Sequence, residues 1–132
     1  MSPLGVLHGG SSYHLNSLRD AEERLGEVRE LYLPQIAADP HAALAGLDRV
    51  LVCDRLHPGL LDRCTGALLE IPARGGTLVV LVEATAHTWL PGVRAEHRDT
   101  NFWWWRTGED SGIRTREPEH PLWQHVDELS HW

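Results

Sequence analysis

Short apolar runs alternate along the first 82 residues with segments in which apolar residues recur at helical spacing. From length and composition, we predict strands at residues 4–7, 28–33, 49–54 and 77–82. The last two runs are continuously apolar, which is typical of strands covered on both faces in parallel sheets. From the apolar stripes between them, we predict helices at residues 15–25, 40–47 and 58–71.

Local signals mark the ends of these helices. Asp39 followed by Pro40 combines an N-cap residue with proline at the first helical position. Gly26 supplies a stop after the first helix. Ser17 with Asp20 three residues later resembles a capping box, which favours a helix start close to this pair.

The alternation of strand and helix predicts an α/β protein with a flavodoxin-like three-layer fold, in which helices cover both faces of a mostly parallel central sheet. We expect residues 1–132 to form one such domain, short at its C-terminal end. A strand order of 2-1-3-4 would bring the loops after the first, third and fourth strands together. Open α/β sheets bind their ligands at this carboxyl edge.

After residue 82 the chain becomes rich in proline, glycine and charge, and it contains one aromatic block, FWWWR, at residues 102–106. We predict short strands at residues 102–106 and 113–116 and a last helix that begins at Pro121. Because side chains alternate along a strand, either Trp104 or the pair Trp103 and Trp105 would point outward. Burial at a subunit interface, packing against the last helix and stacking on a ligand stay open for this block.

Composition narrows the class of protein. The net charge is −7, from 12 basic and 19 acidic residues, which argues against a general nucleic-acid binder. The N-terminal segment lacks the basic and long apolar regions of a signal peptide, and no apolar run is long enough to span a membrane. Cys53 and Cys64 are too few for a disulfide framework and resemble buried small hydrophobes. We therefore expect a cytoplasmic protein that binds neither nucleic acid nor membrane.

The three loops at the predicted carboxyl edge hold most of the residues that can carry chemistry. Glu83, at the end of the fourth strand, is the candidate base, and His87 is the candidate acid. A carboxylate pair with Asp54 is a further arrangement for acid–base chemistry. The residues that we expect to bind a small polar ligand are Ser11, Ser12, His14, Asp54, His57 and Trp104.

Simpler roles stand beside each of these assignments. Glu83 can cap the backbone of the next turn, and polar residues are common at strand ends for reasons of solvation alone. Four of the nine histidines lie on the three loops and would suit zinc or another first-row metal, but no pair has the tight spacing of a metal motif. No cofactor can be named from this pattern. Three functions stay open: a ligand-binding domain, a non-catalytic homo-oligomeric interaction module and a metal-dependent hydrolase.

Two segments carry a resemblance to a known family. The first is RVLVCDRLHPGLLDRCTGALLEIPARGGTLVVLVEAT, residues 49–85. It resembles the strand, the helix ending in a Gly-Gly turn and the strand into the elbow of class I glutamine amidotransferase-like proteins. The second, REPEHPLWQHV at residues 116–126, resembles the short HPL segment that follows their core sheet. Within that superfamily the chain looks most like the ThuA-like proteins, over most of residues 4–126.

The resemblance has one informative departure. Amidotransferases of this class carry a nucleophilic cysteine at the elbow, whereas Glu83, Ala84 and Thr85 offer no thiol. Thiolate chemistry at the elbow is therefore not expected. ThuA-like members also lack that cysteine and are associated with sugar metabolism. The resemblance thus implies a domain that is not an amidotransferase and that binds a small polar ligand, with carbohydrate as the expected class.

Overall fold

The computed structural model of the chain describes residues 2–81, 83–96, 103–112, 114 and 117–125. Backbone contacts divide the chain into two compact units, Met1–Ala95 and Glu96–Trp132. All four strands that the structure describes lie in the first unit, together with its buried core.

The first unit follows the predicted alternation of strand and helix, and each predicted strand of residues 1–82 is confirmed. The strands are β1 (Leu4–His8), β2 (Val28–Tyr32), β3 (Arg49–Val52) and β4 (Thr77–Val80). The helices are α1 (Ser12–Leu25), α2 (Leu33–Ile36), α3 (Pro40–Leu44), α4 (Pro58–Asp62), α5 (Thr65–Ala73) and α6 (Ala86–Trp89).

The four strands form one sheet in the order β2-β1-β3-β4, and every neighbouring pair is parallel. Leu7 of β1 pairs with Leu31 of β2 on one side and with Val52 of β3 on the other. The α/β class and the flavodoxin-like strand order are thus confirmed. The chain moves from β1 to β2 in one direction and then returns past β1 to β3, so the strand order reverses between β1 and β3.

The two faces of the sheet are covered unequally. Right-handed crossovers place α1 on one face and α2 to α5 on the other. On the second face the packing is tight, because a Cβ built on Gly5 would lie 2.8 Å from the side chain of Leu47. On the α1 face Val6 of β1 is fully buried, whereas Val79 of β4 is 50% exposed. The continuous apolar run at residues 77–82 did not indicate this exposure, because hydrophobic content alone does not show how far a helix layer extends.

The start of α1 differs from the prediction. The helix begins at Ser12, three residues before the predicted start, and Ser11 is its N-cap in an extended conformation. The proposed capping box of Ser17 and Asp20 is therefore wrong, since both residues lie inside the helix. The predicted stop is confirmed, because Gly26 ends α1 with a φ of 72°, a conformation that costs glycine little.

The shorter helices agree with the predictions more closely. Asp39 caps α3 by accepting a hydrogen bond from the backbone N–H of Ala42 at 3.1 Å. The helix predicted after His57 is instead divided into α4 and α5. Its apolar stripe is nevertheless buried as expected, with Leu61, Cys64 and Leu68 at 1% exposure or less.

The aromatic block belongs to the second unit and forms a helical turn, α7 (Trp104–Thr107), so the strand predicted at residues 102–106 is wrong. The backbone N–H of Arg106 donates to the carbonyl of Trp103 at 2.7 Å, a short-range bond that an extended strand does not make. Trp103 and Trp105 are 49% and 53% exposed, and the guanidinium of Arg106 lies 4.5 and 4.7 Å from their ring centroids.

Pro121 opens a helix as predicted, although the described part, Pro121–His125, is a 3-10 helix. The rest of that predicted helix, with Val126 and Leu129, lies outside the described residues. The strand predicted at residues 113–116 falls on a segment of which only Arg114 is described.

A substitution at Gly76 would test how closely the turn between α5 and β4 approaches the start of β3. A Cβ at this position would lie 2.5 Å from the carbonyl oxygen of Asp48, which accepts the backbone N–H of Thr77 and so is held in place. We expect Gly76→Ala to lower the free energy of unfolding by about 2–3 kcal/mol, as overpacking does. Urea denaturation would measure the change.

Gly66, in α5, is the matched control, because a Cβ there meets nothing within 4 Å. Gly66→Ala should be neutral or stabilising by up to about 1 kcal/mol, because alanine favours the helix. Equal effects of the two substitutions would contradict the proposed close approach at Gly76.

Candidate functional site at the carboxyl edge of the sheet

A hydrogen bond between His14 and Asp54 joins the loops that follow β1 and β3. His14 lies in the first turn of α1, and Asp54 follows the end of β3. Nε2 of His14 is 2.8 Å from Oδ1 of Asp54, and the histidine side chain is only 6% exposed. This hydrogen bond lowers the pKa of Asp54 below its usual value, so the carboxylate is ionised and Nε2–H is the donor. Two predicted ligand-binding residues are thus in direct contact at the reversal of strand order.

His8, the last residue of β1, is buried beside this pair. Its Nδ1 accepts a hydrogen bond from the backbone N–H of Gly10 at 3.1 Å, so in the neutral ring the proton is on Nε2. Nε2 lies 3.8 Å from a carboxylate oxygen of Glu30, which is too far for a hydrogen bond. The ring stacks on Tyr32 with centroids 5.8 Å apart. Burial lowers the pKa of His8, so the ring is neutral near pH 7.

Three buried side-chain atoms of this loop have no hydrogen-bond partner in the described part of the chain: Nε2 of His8, Oγ of Ser11 and Nδ1 of His14. Ser11 is the N-cap of α1, yet its hydroxyl makes no cap bond. The first N–H groups of α1 therefore lack a side-chain acceptor at the end of the helix where the dipole is positive. Because an unpaired buried polar group costs about 1–3 kcal/mol, a ligand that bonded these atoms would recover that energy.

The loops after β3 and β4 are joined by Arg55 and Glu83. Nε of Arg55 is 2.6 Å from Oε2 of Glu83, and the backbone N–H of Arg55 donates to the carbonyl of Glu83 at 3.3 Å. The Glu83 side chain is 59% exposed. The proposed base is thus engaged in a surface ion pair with Arg55.

The other predicted site residues are more dispersed. His57 is exposed and caps α4, with its Nδ1 accepting from the N–H of Leu60 at 3.3 Å. His87 is exposed on α6, and Ser12 is exposed as the first residue of α1. Trp104 begins α7 in the second unit and is half-buried.

Neither cysteine has the environment of a nucleophile. Cys53 is buried next to the site, where burial and the neighbouring Asp54 raise its pKa to about 11. Burial also raises the pKa of Cys64. Both side chains are therefore thiols at neutral pH, and they are buried as expected for small hydrophobic residues.

The residues that the structure describes contain no group of three or more His, Cys, Asp or Glu side chains arranged to hold a metal ion. Within the same residues, no helix has the length and hydropathy needed to cross a membrane. Of the four loop histidines, His57 caps α4 and His87 lies on α6, and both are exposed. His8 and His14 are buried, at the end of β1 and in the first turn of α1.

Sequence reasoning missed three contributors to this edge: His8 as a buried group with an unpaired nitrogen, Glu30 beside it and Arg55 as the partner of Glu83. His8 had a visible signal, because it ends an apolar run directly before two glycines. The contacts of His8 with Glu30 and of Arg55 with Glu83 had no such signal in the sequence, because only the sheet brings these residues together.

Comparisons with models of protein families, with curated proteins and with solved structures found no match. The fold and the edge geometry define the chain's first unit as an α/β domain of flavodoxin-like strand order with a polar loop cluster at its strand-order reversal.

The pKa of His8 predicts a dependence of stability on pH. Its value is lowered in the folded protein from about 6.5 in the unfolded chain, so the unfolded state binds more protons between the two values. This contribution is fully present above about pH 6.5 and is lost as the pH falls through the lowered pKa. We expect His8→Asn to flatten the pH dependence of the unfolding free energy as the pH falls below about 6.5.

Asparagine preserves an acceptor for Gly10, so the substitution removes mainly the titrating group. His41→Asn is the control, because it makes the same substitution at a histidine whose side chain is 63% exposed. Chemical denaturation at several pH values would measure both slopes. If His8→Asn kept the wild-type slope of unfolding free energy against pH, the assignment of that slope to His8 would be wrong.

Proposed function

We propose that this protein is a ThuA-like domain without amidotransferase activity, which binds a small polar ligand between the loops that follow β1 and β3. The observation that carries the proposal is the set of three buried and unpaired atoms in residues 8–14. Such atoms are rare in folded proteins, and each one calls for an explanation. These atoms lie at the reversal of strand order, which is the place where open α/β sheets bind ligands.

The hydrogen-bonding capacity of the three atoms favours a hydroxyl-rich ligand. Nε2 of neutral His8 is a donor, because Nδ1 is the acceptor for Gly10. In the His14 tautomer whose Nε2–H donates to Asp54, Nδ1 carries no proton and is an acceptor. Ser11 can do either. A sugar hydroxyl both donates and accepts, so carbohydrate is the class that we propose.

The ligand gains access through the glycine-rich segment. Gly9 and Gly10 are exposed and lie between His8 and Ser11 in the chain. Gly10 has a φ of 83°, and a Cβ there would lie 2.8 Å from the ring of Tyr32. Because neither residue carries a side chain, a ligand could approach the side chains of His8 and Ser11 at this segment while the bond from Gly10 to His8 is kept.

Assembly through the aromatic block is the second candidate function. It is favoured by the exposure of about half of Trp103 and Trp105, since large aromatic side chains are enriched in interface cores. We propose a second copy of the chain as the partner. Light scattering would show a dimer whose dissociation constant rises in Trp105→Ala, and a monodisperse wild-type monomer would exclude this function.

The substitution His14→Gln tests the ligand site. The amide nitrogen of glutamine reaches the position of Nε2 and keeps the bond to Asp54, whereas the unpaired Nδ1 is removed. We expect monosaccharides and linear polyols to be bound by the wild type, and the best of them to bind at least about tenfold more weakly to His14→Gln. Isothermal titration calorimetry would measure both affinities.

His41→Gln is the matched control, because it makes the same substitution at an exposed histidine of α3. If His14→Gln bound the ligand with unchanged affinity, the ligand would bind at a place other than the proposed site. Absence of binding by every sugar and polyol would reject the carbohydrate class.

A further inference from the structure

A separate cavity of about 300 Å³ lies between α4 and α6 in the first unit. Its apolar wall includes Pro58, Leu61 and the indole of Trp89. Asp62, at the end of α4, contributes the one charged side chain among the lining residues. The volume is at the lower end of the range for small-molecule sites, so a single compact group would fill it.

Most of the polar groups around this cavity have no proton left to donate. The hydroxyl of Thr65 donates to the carbonyl of Asp62 at 2.9 Å, and the hydroxyl of Thr88 donates to the carbonyl of Thr85 at 2.8 Å. The indole N–H of Trp89 donates to the carbonyl of Ala84 at 3.1 Å. The hydroxyl oxygens of Thr65 and Thr88 and the Asp62 carboxylate can therefore only accept, and an anionic ligand would meet the negative charge of Asp62.

The indole of Trp89 is held in a defined orientation. Its bond to Ala84 fixes one edge of the ring, and the ring also packs on the hydrophobic core. Thr85, directly before α6, has a φ of 51°, a left-handed conformation that is uncommon for a β-branched residue. Backbone strain of this kind concentrates at ligand sites, where the surrounding structure maintains it.

We propose that this cavity binds a small organic ammonium ion, with the charged group between the Asp62 carboxylate and the Trp89 ring and the alkyl groups against Leu61 and Pro58. An aromatic face attracts a cation through its quadrupole, and a carboxylate adds direct charge attraction. The net charge of −7 further favours the approach of cations. This site is independent of the proposed carbohydrate site, since the two share no lining residue.

The first test compares choline with dimethylbutanol, its uncharged carbon isostere, in titrations of the whole chain followed by NMR. The chain has six tryptophans, and the indole N–H signal of Trp89 is assigned as the one that disappears in Trp89→Phe. We expect choline to shift that signal with millimolar or better affinity, and the isostere to bind at least about tenfold more weakly.

The second test compares two substitutions that remove the same charge. Asp62→Asn should weaken choline binding by about tenfold, and neither fold nor packing should suffer because the side chain is exposed. Glu70→Gln on α5 is the control, because its exposed carboxylate does not line the cavity.

Four results would overturn the proposal. These are equal affinity for choline and its isostere, equal effects of the two substitutions, a response confined to tryptophans other than Trp89, and no response at millimolar choline.

Discussion

Parallel pairing of β1 with both β2 and β3 is the constraint on which the rest of the structure depends. Parallel neighbours cannot be joined by tight turns, so each connection must cross the sheet and return to the same starting edge. Every strand then ends at the opposite edge, where the loops after β1, β3 and β4 meet. The bond between His14 and Asp54, 40 residues apart, and the ion pair between Arg55 and Glu83, 28 residues apart, are consequences of this geometry.

The same edge carries two chemically different environments. Around β1 the unpaired atoms include a donor, an acceptor and a hydroxyl, all of them shielded from water. Between α4 and α6 the polar atoms mainly accept, and one of them carries a full negative charge. The difference arises from the neighbouring backbone. At the start of α1 the Ser11 hydroxyl makes no cap bond, whereas the hydroxyls of Thr65 and Thr88 donate to backbone carbonyls of the short turns around α4 to α6. The hydrogen-bonding capacity at each place is thus set by local backbone hydrogen bonding more than by residue type.

The fold was largely predictable from the sequence, because the apolar runs and the capping residues act locally. Asp39 and Gly26 specify helix ends through their own conformations, and the alternation of elements limits the sheet to few arrangements. The start of α1 was not predictable from Ser17 and Asp20, since a capping-box pattern also occurs inside helices. At the site, Asp54 and His14 could be placed at one edge, but their contact could not be derived without distances. The aromatic block was misjudged because three consecutive tryptophans favour a strand by composition, whereas backbone bonds formed a single helical turn.

The central position of β1 also bears on how the chain is made. Leu4 pairs with Val28 and Arg49, so the strand that is synthesised first waits for partners that follow 24 and 45 residues later. During synthesis on the ribosome β1 therefore emerges with both edges unpaired, and β2 can protect only one of them. An apolar strand in this condition is exposed to association with other nascent chains until β3 arrives. Between the translation of residue 8 and that of residue 52, β1 thus lacks at least one of the two strands that pair with it.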